Sequence, residues 1–221
     1  MTIRSEKLAS IRDLLLRMAA LVEEAIRESV RSLVERDSEL ARKIIRNDHK
    51  INAIDVEIDE ECIRLIALIQ PMAGDLRFIT TAMKITTDLE RIGDYAVNIA
   101  ERAIEMNEEP VLKPYIDIPR MSEIAQGMIR DAIGAFIEED EKLARDVIAR
   151  DDEVDELNAA VFEELVAIMT RDPDTVSRAV KITYISKYLE RTADHSTNVA
   201  EMVVYLVKGK IIRHMDHREE L

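Results

Sequence analysis

The thirteen residues 89–101, LERIGDYAVNIAE, return one hundred positions later at 189–201 as LERTADHSTNVAE. Seven of the thirteen are identical, where background composition gives roughly one. The survivors are mostly polar: Glu90/Glu190, Arg91/Arg191, Asp94/Asp194, Asn98/Asn198 and Glu101/Glu201. Core packing tolerates apolar swaps of similar volume, so hydrophobic demand alone does not keep acids and an amide in register. The fold must therefore accommodate one polar site twice.

The duplication extends beyond this motif. Residues 18–48 and 121–151 align without gaps, with Met18/Met121, Ile26/Ile129, Arg27/Arg130, Asp37/Asp140, Leu40/Leu143, Ala41/Ala144, Arg42/Arg145 and Asp48/Asp151 identical. Three residues are missing from the second copy around the turn at 168–174 relative to 69–75, and indels belong in loops. Between the copies, NEEPVLKPYIDIPR at 107–120 carries three prolines and cannot continue a helix. These limits predict a first unit over 1–106, a linker over 107–120 and a second unit over 121–221.

Each unit reads as three long helices. Ile11, Leu15, Met18, Val22, Ala25 and Ser29 step by four and three, and Met121, Ala125, Met128, Ala132 and Ala135 repeat the register. Asp37 and Asp140 fall where a turn and a new N-cap should come. A second helix is predicted from about Glu39 to Ile69, burying Ile51, Ile54, Ile58, Leu65 and Leu68. The third is predicted to bury Ile85, Leu89, Ile92, Ala96, Ile99 and Ala103, with Asp75 as its cap. Asp172-Pro173 supplies cap and first-turn proline in the second copy. No stretch alternates with period two, so the class is all-α: two tandem, sequence-related antiparallel three-helix bundles.

On the third helix, Glu90, Asp94, Asn98 and Glu101 fall within about 80° of arc, one stripe beside the buried seam. Glu190, Asp194, Asn198 and Glu201 do the same. The second helix supplies Asp48, Asn52 and Asp55 in one unit, and Asp151, Asp155 and Asn158 in the other. Facing acidic stripes repel, and Arg91 and Arg191 point about 100° away from the glutamates beside them. Cations with all-oxygen shells, Mg²⁺, Ca²⁺ or Mn²⁺, would offset the repulsion, as would carboxylate-bridged iron. The stripe spans about 16 Å, so several ions follow if every member is a ligand. Seen once, such a pattern is ordinary solvated surface; seen twice in register, it is read here as a metal site.

The two motif copies and the turn QPMAGDLR at 70–77 resemble the PhoU family of bacterial and archaeal phosphate-uptake regulators, over about residues 5–207. The resemblance implies two three-helix bundles that bind multinuclear metal clusters (iron, or Zn, Mn, Mg or Ca) through paired acidic motifs. It further implies a non-enzymatic homodimer that restrains a phosphate-specific ABC transporter through its ATPase and signals to a membrane-bound sensor histidine kinase. Carried over by position, the ligands are Asp48, Asn52, Asp55, Glu90, Asp94, Asn98 and Glu101, with Asp151, Asp155, Glu190, Asp194, Asn198 and Glu201. Asn52 stands where an acid is expected, so the first site is expected to be one negative charge poorer than the second.

Two other functions compete: a carboxylate-bridged di-iron enzyme and an inert helical scaffold. The enzyme class uses Glu-x-x-His on two helices, and no Glu lies three before any of the four histidines. No P-loop or GxGxxG occurs either. A net charge of −14 excludes a nucleic-acid partner, which needs clustered Lys and Arg. No apolar run reaches bilayer length, and MTIRSEKLAS lacks a signal-peptide core, so a cytoplasmic location is expected. Cys62, the single cysteine, sits in an apolar helical stretch and reads as a buried structural thiol. His195 is expected to be a boundary side chain, Arg77 to pair with an acid, and His214 and His217 to lie on a frayed terminal helix.

Overall fold

The computed structural model describes residues 3–209, so His214 and His217 lie outside the described residues. These residues form α1 (Ile3–Val34), α2 (Ser38–Asn47), α3 (His49–Ile69), α4 (Ala73–Asn107), α5 (Asp117–Glu138), α6 (Glu141–Ala149), α7 (Asp151–Arg171) and α8 (Val176–Lys208), with a 3-10 turn at Pro173–Thr175 before α8. No strand occurs among them. Each half is three rods. In each, the second rod is interrupted once, at Asp48 between α2 and α3 and at Arg150 between α6 and α7. The interruption lets one rod serve two neighbours. Leu40, Ala41 and Ile44 of α2 pack on Ala100 near the end of α4, while Ile51, Ile54 and Ile58 of α3 enter the main core.

The turns follow their sequences. Arg36 (φ 57°) and Glu139 (φ 54°) are left-handed at matching places. Asp37 N donates to Ser32 O and Asp140 N to Ala135 O, each at 2.9 Å, the six-to-one bond of a Schellman end. Asp37 and Asp140 then cap the next helices, accepting from Leu40 N at 2.9 Å and Leu143 N at 3.1 Å. Asp172 accepts from Asp174 N at 3.1 Å, with Pro173 at the first position of the 3-10 turn. Two expectations need correction here. α4 begins at Ala73, after Met72 with no side-chain cap, so Asp75 is a first-turn acid and not the cap. Leu68 is 67% exposed while Leu65 is 1% exposed: the end of α3 runs on past the neighbours that cover Leu65.

The seam residues Ile11, Leu15, Met18, Val22 and Ser29, and Ile85, Leu89, Ile92, Ala96, Ile99 and Ala103, are all fully buried. One apolar core runs from Ile11 to Val204 through both halves, because α1 packs on α5 and α4 on α8. Phe78 and Phe136 stack across this junction at 4.8 Å, with Arg12 over Phe78. The connection 108–116 is held down. Lys113, 8% exposed, pairs with Glu164, and Lys181 Nζ meets Glu109 at 2.7 Å. The last four residues of the expected linker, 117–120, belong to α5.

Arg77 finds a backbone partner and not the acid expected. Its Nη1 donates to Leu206 O at 3.4 Å and its guanidinium lies against Tyr205. The end of α8 leaves carbonyls without helical partners, and a cation suits that end of the dipole. Cys62 is buried, and burial pushes its thiol up to about 12, as a structural thiol requires.

Candidate metal centres

α3 lies antiparallel to the middle of α4, and α7 to the middle of α8. Ile51 touches the position where a Gly93 side chain would begin, with Asp48 Oδ1 3.8 Å from it. The second half holds Val154 and Ala193 in the same places. One methyl has moved across the interface while the side-chain carbon count is unchanged, a volume-conserving exchange of the kind that packing tolerates best.

This register gathers four carboxylates in each half. In the first, Glu90 is pushed up by burial, then by Asp94 and Asp55, with Arg91 opposing and Asp48 adding. Asp94 is raised by burial and then Asp48, and Asp55 by burial and then Asp59. In the second, burial raises Asp151 to about 7, with Asp194, Asp155 and Glu190 adding and the Thr197 hydroxyl opposing. Asp155 is raised by burial and Glu190, and Asp194 by burial, Glu190 and Asp155. Lys187 opposes both.

Other stripe members lie elsewhere. Asn98 and Glu101 continue α4 beyond Asp94, where α2 is its neighbour through Ala100. Asn198 and Glu201 likewise continue α8 along the stretch that follows Asp194, and α6 packs on α8. Asn52 is exposed and donates through Nδ2 to Asp48 Oδ2 at 2.8 Å, which occupies one carboxylate lone pair. Asn158 Oδ1 accepts from Ser186 Oγ at 2.8 Å.

The charge deficit expected for the first site is therefore corrected. Asn52 faces Asp155 in the alignment, but Asp55 faces Asn158, so each groove keeps four acids. What differs is the counter-charge. Lys187 contacts Glu190 Oε1, while the first copy has Thr87 there. Sequence reasoning missed Lys187, although its i,i+3 spacing to Glu190 was visible.

His195 is turned away from the carboxylates of the groove. Its Nδ1 lies 2.6 Å from Asp88 Oδ1 and its Nε2 3.1 Å from the Tyr95 hydroxyl. A carboxylate only accepts, so Nδ1 carries the proton and Nε2 accepts from Tyr95. The residue thus joins α4 to α8, as a boundary side chain.

The all-oxygen donor sets suit hard cations. One observation singles out the second groove: Glu190 is 8% exposed and its Oε2 has no hydrogen-bond partner. A buried carboxylate oxygen without a partner is costly, and a cation would satisfy it. As the side chains stand, no three His, Cys, Asp or Glu among the described residues close on a common point at ligating distance. An ion shared by three of these carboxylates would require rotamer changes.

Fold and site define a class, the duplicated helical proteins with one acidic groove per half. Comparison with known proteins narrows it. A family model described as the PhoU domain matches residues 15–103 and 118–203. A phosphate-specific transport system accessory protein PhoU homolog of Aquifex aeolicus is 44% identical over 97% of both chains. One from Pseudomonas putida is 40% identical over 95% of this chain and 82% of its own. The crystal structure of PhoU from Pseudomonas aeruginosa superimposes with a TM-score of 0.89 at 39% identity, covering 93% of this chain and 99% of that one. The chain belongs to the PhoU family. No described helix is long and apolar enough to cross a membrane.

Proposed function

We propose that this protein is a cytoplasmic, non-enzymatic regulator of phosphate uptake whose two grooves bind multinuclear clusters of cations. Glu190 carries the reading: it is a buried acid with a partnerless oxygen among three further carboxylates, all of which burial and mutual repulsion hold above the usual range. Glu90, at the matching position of the first half, is pushed up by burial and by Asp94 and Asp55. The relatives named above are accessory proteins of phosphate-specific transport systems, which supports placing this chain beside such a transporter.

In each half, Glu90, Asp94, Asp48 and Asp55, or Glu190, Asp194, Asp151 and Asp155, would hold the ions, with Asn52 donating to Asp48 in the first. Bound cations would relieve the repulsion across each groove and fix α3 on α4 and α7 on α8. Neutralising eight acids on a chain of net charge −14 would also change the field that a partner meets. The partners proposed are the ATPase of a phosphate ABC transporter, a phosphate-sensing histidine kinase and a second copy of the chain. Pull-down with the ATPase and the kinase, comparing wild type with Asp94→Ala/Asp194→Ala, tests this. Loss of capture by the folded variant supports it; equal capture overturns the link between grooves and partners.

A further inference from the structure

A cavity of about 210 Å³ opens in the first half between α1, α2 and the start of α3. Leu21, Ala25, Leu40, Ile44, Ile51 and Val97 form its walls, and Glu24, Glu28, Lys43, Asn47, Asp48 and Lys50 line it as well. The second half shows what the same space takes when filled. Asn47 corresponds to Arg150, one hundred and three positions later. Arg150 Nη2 donates to Asp131 Oδ2 at 2.6 Å and its Nε to Asp146 O at 3.2 Å, while Nη1 lies 3.5 Å from where a Gly127 side chain would begin. Asp131, Asp146 and Gly127 are the counterparts of Glu28, Lys43 and Glu24. All three residues that Arg150 meets are thus copies of residues that line the first-half cavity.

From this correspondence we infer that the first-half cavity accepts an arginine side chain presented by a partner protein. Glu28 and the Lys43 carbonyl take the places of Asp131 and the Asp146 carbonyl, and the aliphatic walls take the stem. Glu24 adds a carboxylate where the second half has glycine. The space is open because two side chains are short, Asn47 for Arg150 and Ala25 for Met128. Glu28 already accepts from Arg27 at 3.2 Å and from Arg31 at 3.0 Å on Oε1, and Arg31 also reaches its Oε2 at 2.8 Å. Those are exposed contacts of neighbouring turns, which are weak, and a carboxylate offers about four acceptor sites. Lys43 and Lys50 flank the mouth and oppose a lone cation. An arginine beside an acidic residue suits that rim, and it favours a protein segment as the source. The inference is independent of metal binding, sharing only Asp48 with the groove.

The test uses the full chain with ¹³C-labelled Ile, Leu and Val methyls and the capped dipeptide N-acetyl-Arg-Asp-amide. Saturable shifts at Ile44, Ile51 and Leu40 are expected. The citrulline analogue, equal in shape without the charge, should bind roughly tenfold more weakly or worse, since a hydrogen bond to a charged group is lost. Asn47→Arg should fill the cavity and abolish the shifts, Glu28→Gln should weaken them, and Arg150→Asn should create a second set at Val154 and Ile124. Equal binding of the citrulline analogue, absence of saturation, or binding retained by a folded Asn47→Arg overturns the assignment. Free arginine binding as tightly as the dipeptide overturns the protein source and leaves the guanidinium chemistry standing.

Discussion

Replacing Asp151 by asparagine removes the carboxyl whose ionisation the fold opposes most. Its ordinary value of 3.8 is raised to about 7 by burial and by Asp194 and Asp155. Below pH 4 the group is protonated in both folded and unfolded chains and costs nothing. As pH rises toward 7 the unfolded chain ionises freely while the folded one resists, so stability falls across that window and the loss is complete above it. At about 1.4 kcal/mol per tenfold change in protonation the ceiling is about 4 kcal/mol. Three further acids share the proton load and water enters the groove, which brings the figure to about 2 kcal/mol. Urea denaturation with a chelator present should therefore find Asp151→Asn more stable than wild type by about 2 kcal/mol at pH 8, and equal to it near pH 4. With saturating Mn²⁺ the order should reverse, because the variant has lost a ligand. A variant less stable than wild type at pH 8 without metal would refute the electrostatic reasoning.

Further outcomes follow from single contacts. Gly93→Ala places a methyl 3.1 Å from Ile51, and Ile51→Val removes the obstruction as Val154 does opposite Ala193. The two changes should couple favourably by about 1 kcal/mol in a double-mutant cycle. Replacing His195 by alanine strands Asp88, 17% exposed, and should cost about 1–3 kcal/mol by thermal or urea unfolding. Cys62, buried with its thiol near 12, should resist dithionitrobenzoate at pH 8 in native protein and react on unfolding. Glu139→Gly relieves a left-handed residue (φ 54°) at a helix end and should raise stability by about 0.5–1 kcal/mol.

Local rules were legible because their causes are local. The caps at Asp37, Asp140 and Asp172, and the apolar seams of α1, α4 and α5, depend on a few consecutive residues and a helical period. The break at Asp48 was not, since Ile44 and Ile51 keep one continuous period. Only the presence of two separate neighbours, Ala100 and the main core, divides the rod. Leu68 failed for the same reason, its pattern continuing past the point where a neighbour exists. At the site, the four acids in each groove whose charges raise one another were named from their spacing. Asn98, Glu101, Asn198 and Glu201 share the stripe but run on past those acids, since a stripe on one helix says nothing about which helix faces each of its members. The charge comparison failed because it weighed Asn52 against Asp155 and overlooked Asp55 against Asn158. Lys187 was overlooked because it stands outside the repeated motif.

If each half gathers carboxylates around bound cations, metal stoichiometry counts them directly. Full-length protein purified without chelator and reconstituted with Mn²⁺ or Fe²⁺ can be analysed by plasma mass spectrometry, alongside Asp94→Asn, Asp194→Asn and the double variant. Several ions per chain are expected in wild type, with each single change removing the share of one groove and the double change removing nearly all. Trace metal in wild type, or full loading in the folded double variant, would contradict the account.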